Sequence, residues 1–477
     1  LADFKMKLNI LPTLNTELSL ARQGQEYFKR IYVNSNHKES IDNMRSGRGT
    51  LQEENYTDYT LEWIGNYFTT IDKHTIKLMA GYSYQEFNHR SFSSENANFP
   101  SDAMSYNNLE AGDWNMAAGR LGVSSLKEKE KTIGFPARLI YNYDDTYYLT
   151  ASVRYEGNSK FGANHKWGWF PAASAAWRMS SLPAIKNIEA INDLKLRFSY
   201  GVTGRSGFPK YSALARYEQG GYWLDDNGQW TQAWGPTNNP NPDLHWEKQI
   251  SYNLGVDFQL FNSRLQGTVE LFMKKNNNML IAVTYPGILG DKAPASNSGK
   301  FEAKGYEGTL TWSDKIGKVN YHIGGTFTYA DNKLVDYGGV TVFKSGFIDK
   351  QQGYSLNSVF GLKYCGKIQT EEQLRKYKYQ YYNGNGIGIP SDIRLGDNMY
   401  EDVNGDGVLD EKDYVYLGSD DPKISYSFNL GLEWNNFDFS AVFQGVAKRT
   451  IFRDSSNDNY RIPMKAAHLN STTQSVG

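Results

Sequence analysis

Ile250-Ser251-Tyr252-Asn253-Leu254-Gly255-Val256-Asp257-Phe258-Gln259-Leu260 alternates apolar with polar or small residues without a break. Successive side chains of an extended chain point to opposite faces, so this stretch is a strand with one apolar and one polar face. After Asn262-Ser263 the alternation resumes as Leu265, Gly267, Val269, Leu271 and Met273 against Gln266, Thr268, Glu270 and Lys274. Two strands joined by a tight turn form an antiparallel hairpin. Its apolar set is predicted to face lipid, and Ser251, Asn253, Asp257 and Gln259 to face a lumen.

The same unit recurs. Tyr426, Phe428, Leu430, Leu432 and Trp434 lead through Asn435-Asn436 into Phe437, Phe439, Ala441 and Phe443. Asp144-Asp145 precedes Tyr147, Leu149, Ala151, Val153 and Tyr155, and Ile71-Asp72 precedes Ile76, Leu78, Ala80, Tyr82 and Tyr84. Leu194, Leu196, Phe198 and Tyr200 mark a further strand. About fourteen strands are predicted, many reaching the roughly 9 to 11 residues that a tilted membrane strand needs. Tight turns, such as Asn262-Ser263 and Lys315-Ile316-Gly317, alternate with long polar connections at 87–131, 201–246 and 368–422. Short turns on one rim and long loops on the other characterise outer-membrane barrels, whose long loops face outward. Tyr141, Tyr143, Tyr147, Tyr148, Trp167, Trp169 and Trp434, near strand ends, are placed for interfacial girdles. The predicted class is therefore all-β, an antiparallel transmembrane β-barrel.

Composition agrees. The 477 residues carry 51 Lys+Arg and 52 Asp+Glu, which gives no electrostatic reason to expect nucleic acid. Aromatics reach 14% while mean hydropathy is −0.62. A barrel needs apolar residues only at alternate positions, so it can cross a bilayer with such a hydrophilic average. No run approaches the roughly 18 consecutive apolar residues of a spanning helix. Cys365 is the only cysteine, so an intrachain disulfide is excluded.

Four segments resemble the SusC/RagA-type branch of the TonB-dependent outer-membrane transporters. They are Tyr148 to Gly162 with Trp167-Gly168-Trp169-Phe170-Pro171 and Ser174-Ala175-Ala176-Trp177-Arg178; Leu196 to Gly204; Asn241-Pro242-Asp243-Leu244-His245-Trp246-Glu247; and Gly396-Asp397 through Asp402 to Gly407 and Asp421-Pro422-Lys423 to Phe443-Gln444-Gly445. The resemblance implies a barrel of about 22 strands, wide enough to need a plug domain. It also implies import of oligosaccharides, glycans or peptides across the outer membrane of a Gram-negative bacterium, with a SusD-like surface lipoprotein and energy from the TonB complex. Residues 1–477 are expected to hold no plug or TonB-contacting segment, and the polar stretch Asn470 to Gly477 does not resemble an aromatic-ended closing strand. Residues 1–477 are accordingly expected to be an internal part of one barrel domain, with the plug and the TonB contact outside this sequence.

Asp402-x-Asn404-x-Asp406-Gly407-Val408-x-Asp410-x-x-Asp413 follows the spacing of an EF-hand-type calcium loop, with the Val408 carbonyl at position 7. Position 12 is Asp413 where the standard loop has glutamate. A structural Ca²⁺ is expected there, in the loop before the strand at Tyr426; the competing reading is an Asx- and Gly-rich turn without metal. Tyr222, Trp223, Trp230 and Trp234, beside Asp225, Asp226 and Asn227, offer aromatic faces and acceptors for sugars or peptides. Packing of that loop on itself or on a partner is the competing reading. Gly384-Asn385-Gly386-Ile387-Gly388 lacks the strand, helix and acidic residue of a nucleotide site and reads as a turn. The seven histidines lack metal-ligand spacing and there is no Gly-x-Ser-x-Gly elbow, so no enzyme is predicted. The alternative functions are a passive porin and a surface-binding barrel.

Overall fold

Alternation at period two produces strands throughout. The computed structural model describes residues 1–117, 122–214, 216–226, 228–238, 240–282, 295–338, 342–344, 347–381, 393–451 and 474–475. The first eight strands are β1 (Ala2–Leu11), β2 (Leu14–Val33), β3 (Arg48–Ile71), β4 (His74–Ala97), β5 (Val123–Tyr143), β6 (Tyr147–Asn158), β7 (Trp167–Arg178) and β8 (Ile191–Arg205). A ribbon, β9 (Arg216–Leu224) and β10 (Trp230–Asn238), precedes β11 (Glu247–Leu260), β12 (Leu265–Ala282), β13 (Ala295–Ile316) and β14 (Val319–Asp336). Short strands β15 (Val342–Lys344), β16 (Phe347–Lys350), β17 (Ser358–Leu362), β18 (Tyr364–Lys367), β19 (Asn398–Tyr400) and β20 (Tyr414–Ser419) come before β21 (Ile424–Trp434) and β22 (Phe437–Ala447). A fourteen-stranded sheet follows chain order, β1 to β8 and then β11 to β14, β21 and β22. The chain forms two compact units.

In the first unit, 1–144, 149–173 and 204–246, antiparallel pairing is continuous from β1 to β5. Cross-strand partners share a face, so Phe4, Leu20, Leu61 and Tyr84 form one apolar row, and Met6, Leu18, Trp63 and Tyr82 the next. In the second unit, 145–148, 174–203 and 247–477, the hairpin read first in the sequence closes as expected: Tyr252 pairs with Met273, Leu254 with Leu271 and Val256 with Val269. Phe261, Asn262 and Ser263 turn through positive φ of 58°, 60° and 59°. The apolar face continues through Tyr306, Leu310 and Phe327 to Phe428 and Phe443. That face is the lipid face of a transmembrane β-barrel wall. Tyr147 stacks on Trp177 and Trp434 on Phe437 at the tight-turn ends, while Tyr155 stacks on Trp167 and Trp169 nearer the opposite rim.

Several boundaries differ from the sequence expectation. Lys315 and Ile316 belong to β13, because Ile316 pairs with Val319 and the turn falls at Gly317-Lys318. Both ends of the connection expected over 87–131 are strand, because β4 runs on to Ala97 and β5 starts at Val123, paired from Ser94–Val123 downward. Beyond the height of the apolar band an outward face need not be apolar, so no unbroken apolar stripe marks those segments. In the outer part of the second unit, a helix (Glu371–Tyr381) covers a small core of Ile368, Tyr377, Ile393 and Leu409. Residues 384–388 and 470–473 lie outside the described residues.

Candidate functional site

Segments far apart in the sequence meet in an aromatic knot in the first unit. Trp246, 5% exposed, lies 4.4 Å from Phe161 and 5.2 Å from Phe170 between ring centroids, and its indole Nε1 donates to the Lys166 carbonyl at 3.0 Å. Phe208 meets Phe161 edge-on at 5.1 Å. Gly162 donates its N–H to the Leu244 carbonyl at 3.1 Å, and Leu244 is fully buried. A Cβ at Gly162 would stand 1.7 Å from the Pro242 carbonyl oxygen, so only glycine permits this approach. The knot fastens the 201–246 connection to the start of β7 and the turn that precedes it.

That connection carries β9 and β10. Leu224 pairs with Trp230, and Tyr222 with Gln232, so Tyr222, Leu224 and Trp230 share one face. Trp223 pairs with Thr231 on the other. The four aromatics chosen from the sequence therefore do not make one platform, although Tyr222, Trp223, Trp230 and Trp234 are all exposed. The turn occupies Asp225: its carboxylate accepts from the Gln229 N–H at 2.8 Å and from Thr231 Oγ1 at 3.3 Å. Asn227 lies outside the described residues.

The twelve-residue loop is built from side chain to amide bonds. Asp402 Oδ1 accepts from Gly405 N–H at 2.7 Å and Oδ2 from Gly407 N–H at 2.8 Å. Both glycines have positive φ, 74° and 81°, as the sharp turn requires. Asn404 and Asp406 each accept from the amide two residues on, at 2.8 and 2.9 Å. Asp410 accepts from Lys412 N–H, and Asp413, fully buried, accepts from Val403, Asn404 and Asp410 amides. The Lys412 ammonium stands 3.8 Å from Asp406 and 3.6 Å from Asp410. Among the described residues no three acidic, histidine or cysteine side chains converge on one point. The donors are hard oxygens of the kind Ca²⁺ takes. Strand β20 intervenes between this loop and the strand at Tyr426.

A cluster on the polar face was missed in the sequence. Arg197 donates to both Asp257 oxygens at 3.1 Å and to Glu270 at 2.9 Å, with Thr268 Oγ1 also on Asp257. Gly255 leaves room for the guanidinium, whose Cζ would lie 2.8 Å from a Cβ there. The available signal was parity: all three charges fall on lumen-facing positions of strands carrying apolar residues opposite.

Residues 12–410 match the family model described as "TonB dependent receptor-like, beta-barrel". The chain belongs to this family. As a TonB-dependent receptor barrel it falls in a family of outer-membrane receptors and transporters. It is 29% identical over 398 residues to TonB-dependent receptor P26 of Formosa agariphila, covering 82% of this chain and 39% of that protein. It is 23% identical over 480 residues to TonB-dependent receptor SusC of Bacteroides thetaiotaomicron, covering 95% of this chain and 43% of SusC. The solved structure of the RagAB peptide importer in its closed-closed state superposes with a TM-score of 0.76 at 21% identity, covering 94% of this chain and 47% of that one. The SusC/RagA-type assignment made from four motifs is borne out. The chain spans less than half the length of these relatives.

Proposed function

We propose that this receptor barrel is the wall of an outer-membrane importer that takes up oligosaccharides, glycans or peptides with a SusD-like surface lipoprotein and is energised by the TonB complex. The observation that carries the reading is the family match over 12–410. The position of the long connections on one rim supports it, since a capping partner and an arriving substrate would meet that rim first. Tyr222, Trp223, Trp230 and Trp234 are proposed to contact substrate from two sides of the β9–β10 ribbon. Removing TonB from cells carrying the full-length parent is expected to abolish uptake while surface binding persists. Uptake that survives without TonB would instead indicate a passive porin.

We also propose that Asp402, Asn404, Asp406, the Val408 carbonyl, Asp410 and Asp413 hold a structural Ca²⁺. The four carboxylates of this set, Asp402, Asp406, Asp410 and Asp413, lie within twelve residues and repel one another, and a divalent ion offsets that repulsion. Binding requires Asp406 and Asp410 to exchange Lys412 for the ion. Calcium titration of the full-length protein is expected to protect the loop from proteolysis, with a midpoint of about 10⁻⁴ to 10⁻³ M. Asp402→Asn together with Asp406→Asn should remove that protection; protection independent of calcium would rule the site out.

A further inference from the structure

Lys127-Glu128-Lys129-Glu130-Lys131 alternates charge along β5, and the sheet sorts the two signs onto opposite faces. The acidic pair turns inward. Glu128 lies 3.3 Å from the Lys210 ammonium, and Glu130 lies 3.1 Å from that of Lys160 and accepts from Asn158 at 2.8 Å. The lysines share parity with Ile133, Phe135, Ala137 and Leu139, and so stand on the lipid-facing side.

Register extends this basic face across β4. Arg90 pairs directly with Lys127, Asn88 with Lys129 and Glu86 with Lys131. Glu86 is the carboxylate within this set, and it takes Lys129 at 2.5 Å, with Lys131 at 3.6 Å. Among the described residues Arg90 and Lys127 have no carboxylate partner, although like charges directly opposite on a sheet destabilise it. Glu53, further from the bilayer on β3, accepts from Asn55.

Height along the strand places the patch. From Tyr143 at the tight turn to Lys131 is about 40 Å of strand, or about 30 Å along the membrane normal at a tilt of about 40°. The basic residues thus begin where the apolar band ends, on the long-loop rim. On the same face an apolar groove of about 370 Å³ runs past Phe4, Leu20, Leu61 and Tyr84, with Arg22 and Tyr59 also in its lining.

We propose that Arg90, Lys127 and Lys131 bind the phosphate of an anionic lipid headgroup in the outer leaflet, with acyl chains lying on the apolar rows below. Charge complementarity and continuity with the lipid face select a phosphorylated lipid as occupant. A headgroup phosphate supplies the counter-charge that the Arg90–Lys127 pair lacks, through charge-assisted hydrogen bonds.

The test uses the full-length parent in nanodiscs of neutral phospholipid doped with a phosphorylated glycolipid or with the same glycolipid after enzymatic dephosphorylation. Retention through delipidation is read by native mass spectrometry. The phosphorylated form should bind the native protein about 100-fold more tightly than the R90Q/K127Q/K131Q variant, at about a factor of five per basic residue. The dephosphorylated form should bind both proteins alike. Heat-modifiable mobility on a gel checks that the variant barrel folds. Equal retention of the phosphorylated lipid by both proteins, or equal retention of both lipids by the native protein, overturns the proposal.

Discussion

Trp246→Ala is expected to release the 201–246 connection from the barrel rim. The substitution removes an indole that is 95% buried against Phe161 and Phe170 and takes one of two donors from the Lys166 carbonyl, which keeps the Asn158 N–H at 3.0 Å. Large aromatic-to-alanine changes in packed sites cost about 3–5 kcal/mol. Borne locally, that loss raises the open population of the loop by at least about a hundredfold. Limited proteolysis of the full-length protein in detergent reads this directly: cleavage within 206–246 should accelerate while the strands stay resistant. Trp246→Phe keeps part of the packing and should fall between. Unchanged cleavage in the alanine variant would mean that the knot does not hold the loop.

The second large effect separates the two faces of one strand. Leu310 pairs with Gly267 and Gly325 on the apolar face, whereas its neighbour Thr309 pairs with Thr268 and Thr326 on the polar one. An arginine facing lipid near the bilayer midplane costs about 2–4 kcal/mol, and one facing an aqueous lumen costs little. Leu310→Arg should therefore reduce the folded fraction of the parent in equilibrium refolding into bilayers, and Thr309→Arg should leave it near native. Equal destabilisation by the two variants would contradict the assignment of faces.

The strands were legible because lipid demands apolar residues at every second position, as Ile250 to Leu260 and Tyr426 to Trp434 display. Beyond the apolar band that demand lapses, so the outer halves of β4 and β5 were read as loop. The calcium-type spacing from Asp402 to Asp413 was legible as a turn of fixed geometry; which side chains are taken up by amides, and that Lys412 sits beside Asp406 and Asp410, depends on three-dimensional closure. Tyr222, Trp223, Trp230 and Trp234 clustered in sequence, yet hairpin register divides them. Arg197, Asp257 and Glu270 came from three strands, and nothing local joins them. The knot at Trp246 is the same lesson in reverse: its pieces were singled out as family-like motifs, and their meeting across some eighty residues of chain explains why Gly162, Pro242 and Trp246 keep company.

The lipid-facing alternation underlies the transport reading and the lipid site alike. It is tested most directly by single cysteines placed in turn at 250 to 259 of the full-length protein, with the exposed Cys365 replaced by serine, spin-labelled and reconstituted in bilayers. Collision with oxygen, which concentrates in lipid, should peak at 250, 252, 254, 256 and 258, and collision with a water-soluble nickel chelate at the residues between. Accessibility that lacks this two-residue period, or that shows it with the phases exchanged, would contradict a membrane-spanning wall with Tyr252 and Leu254 on its outer face.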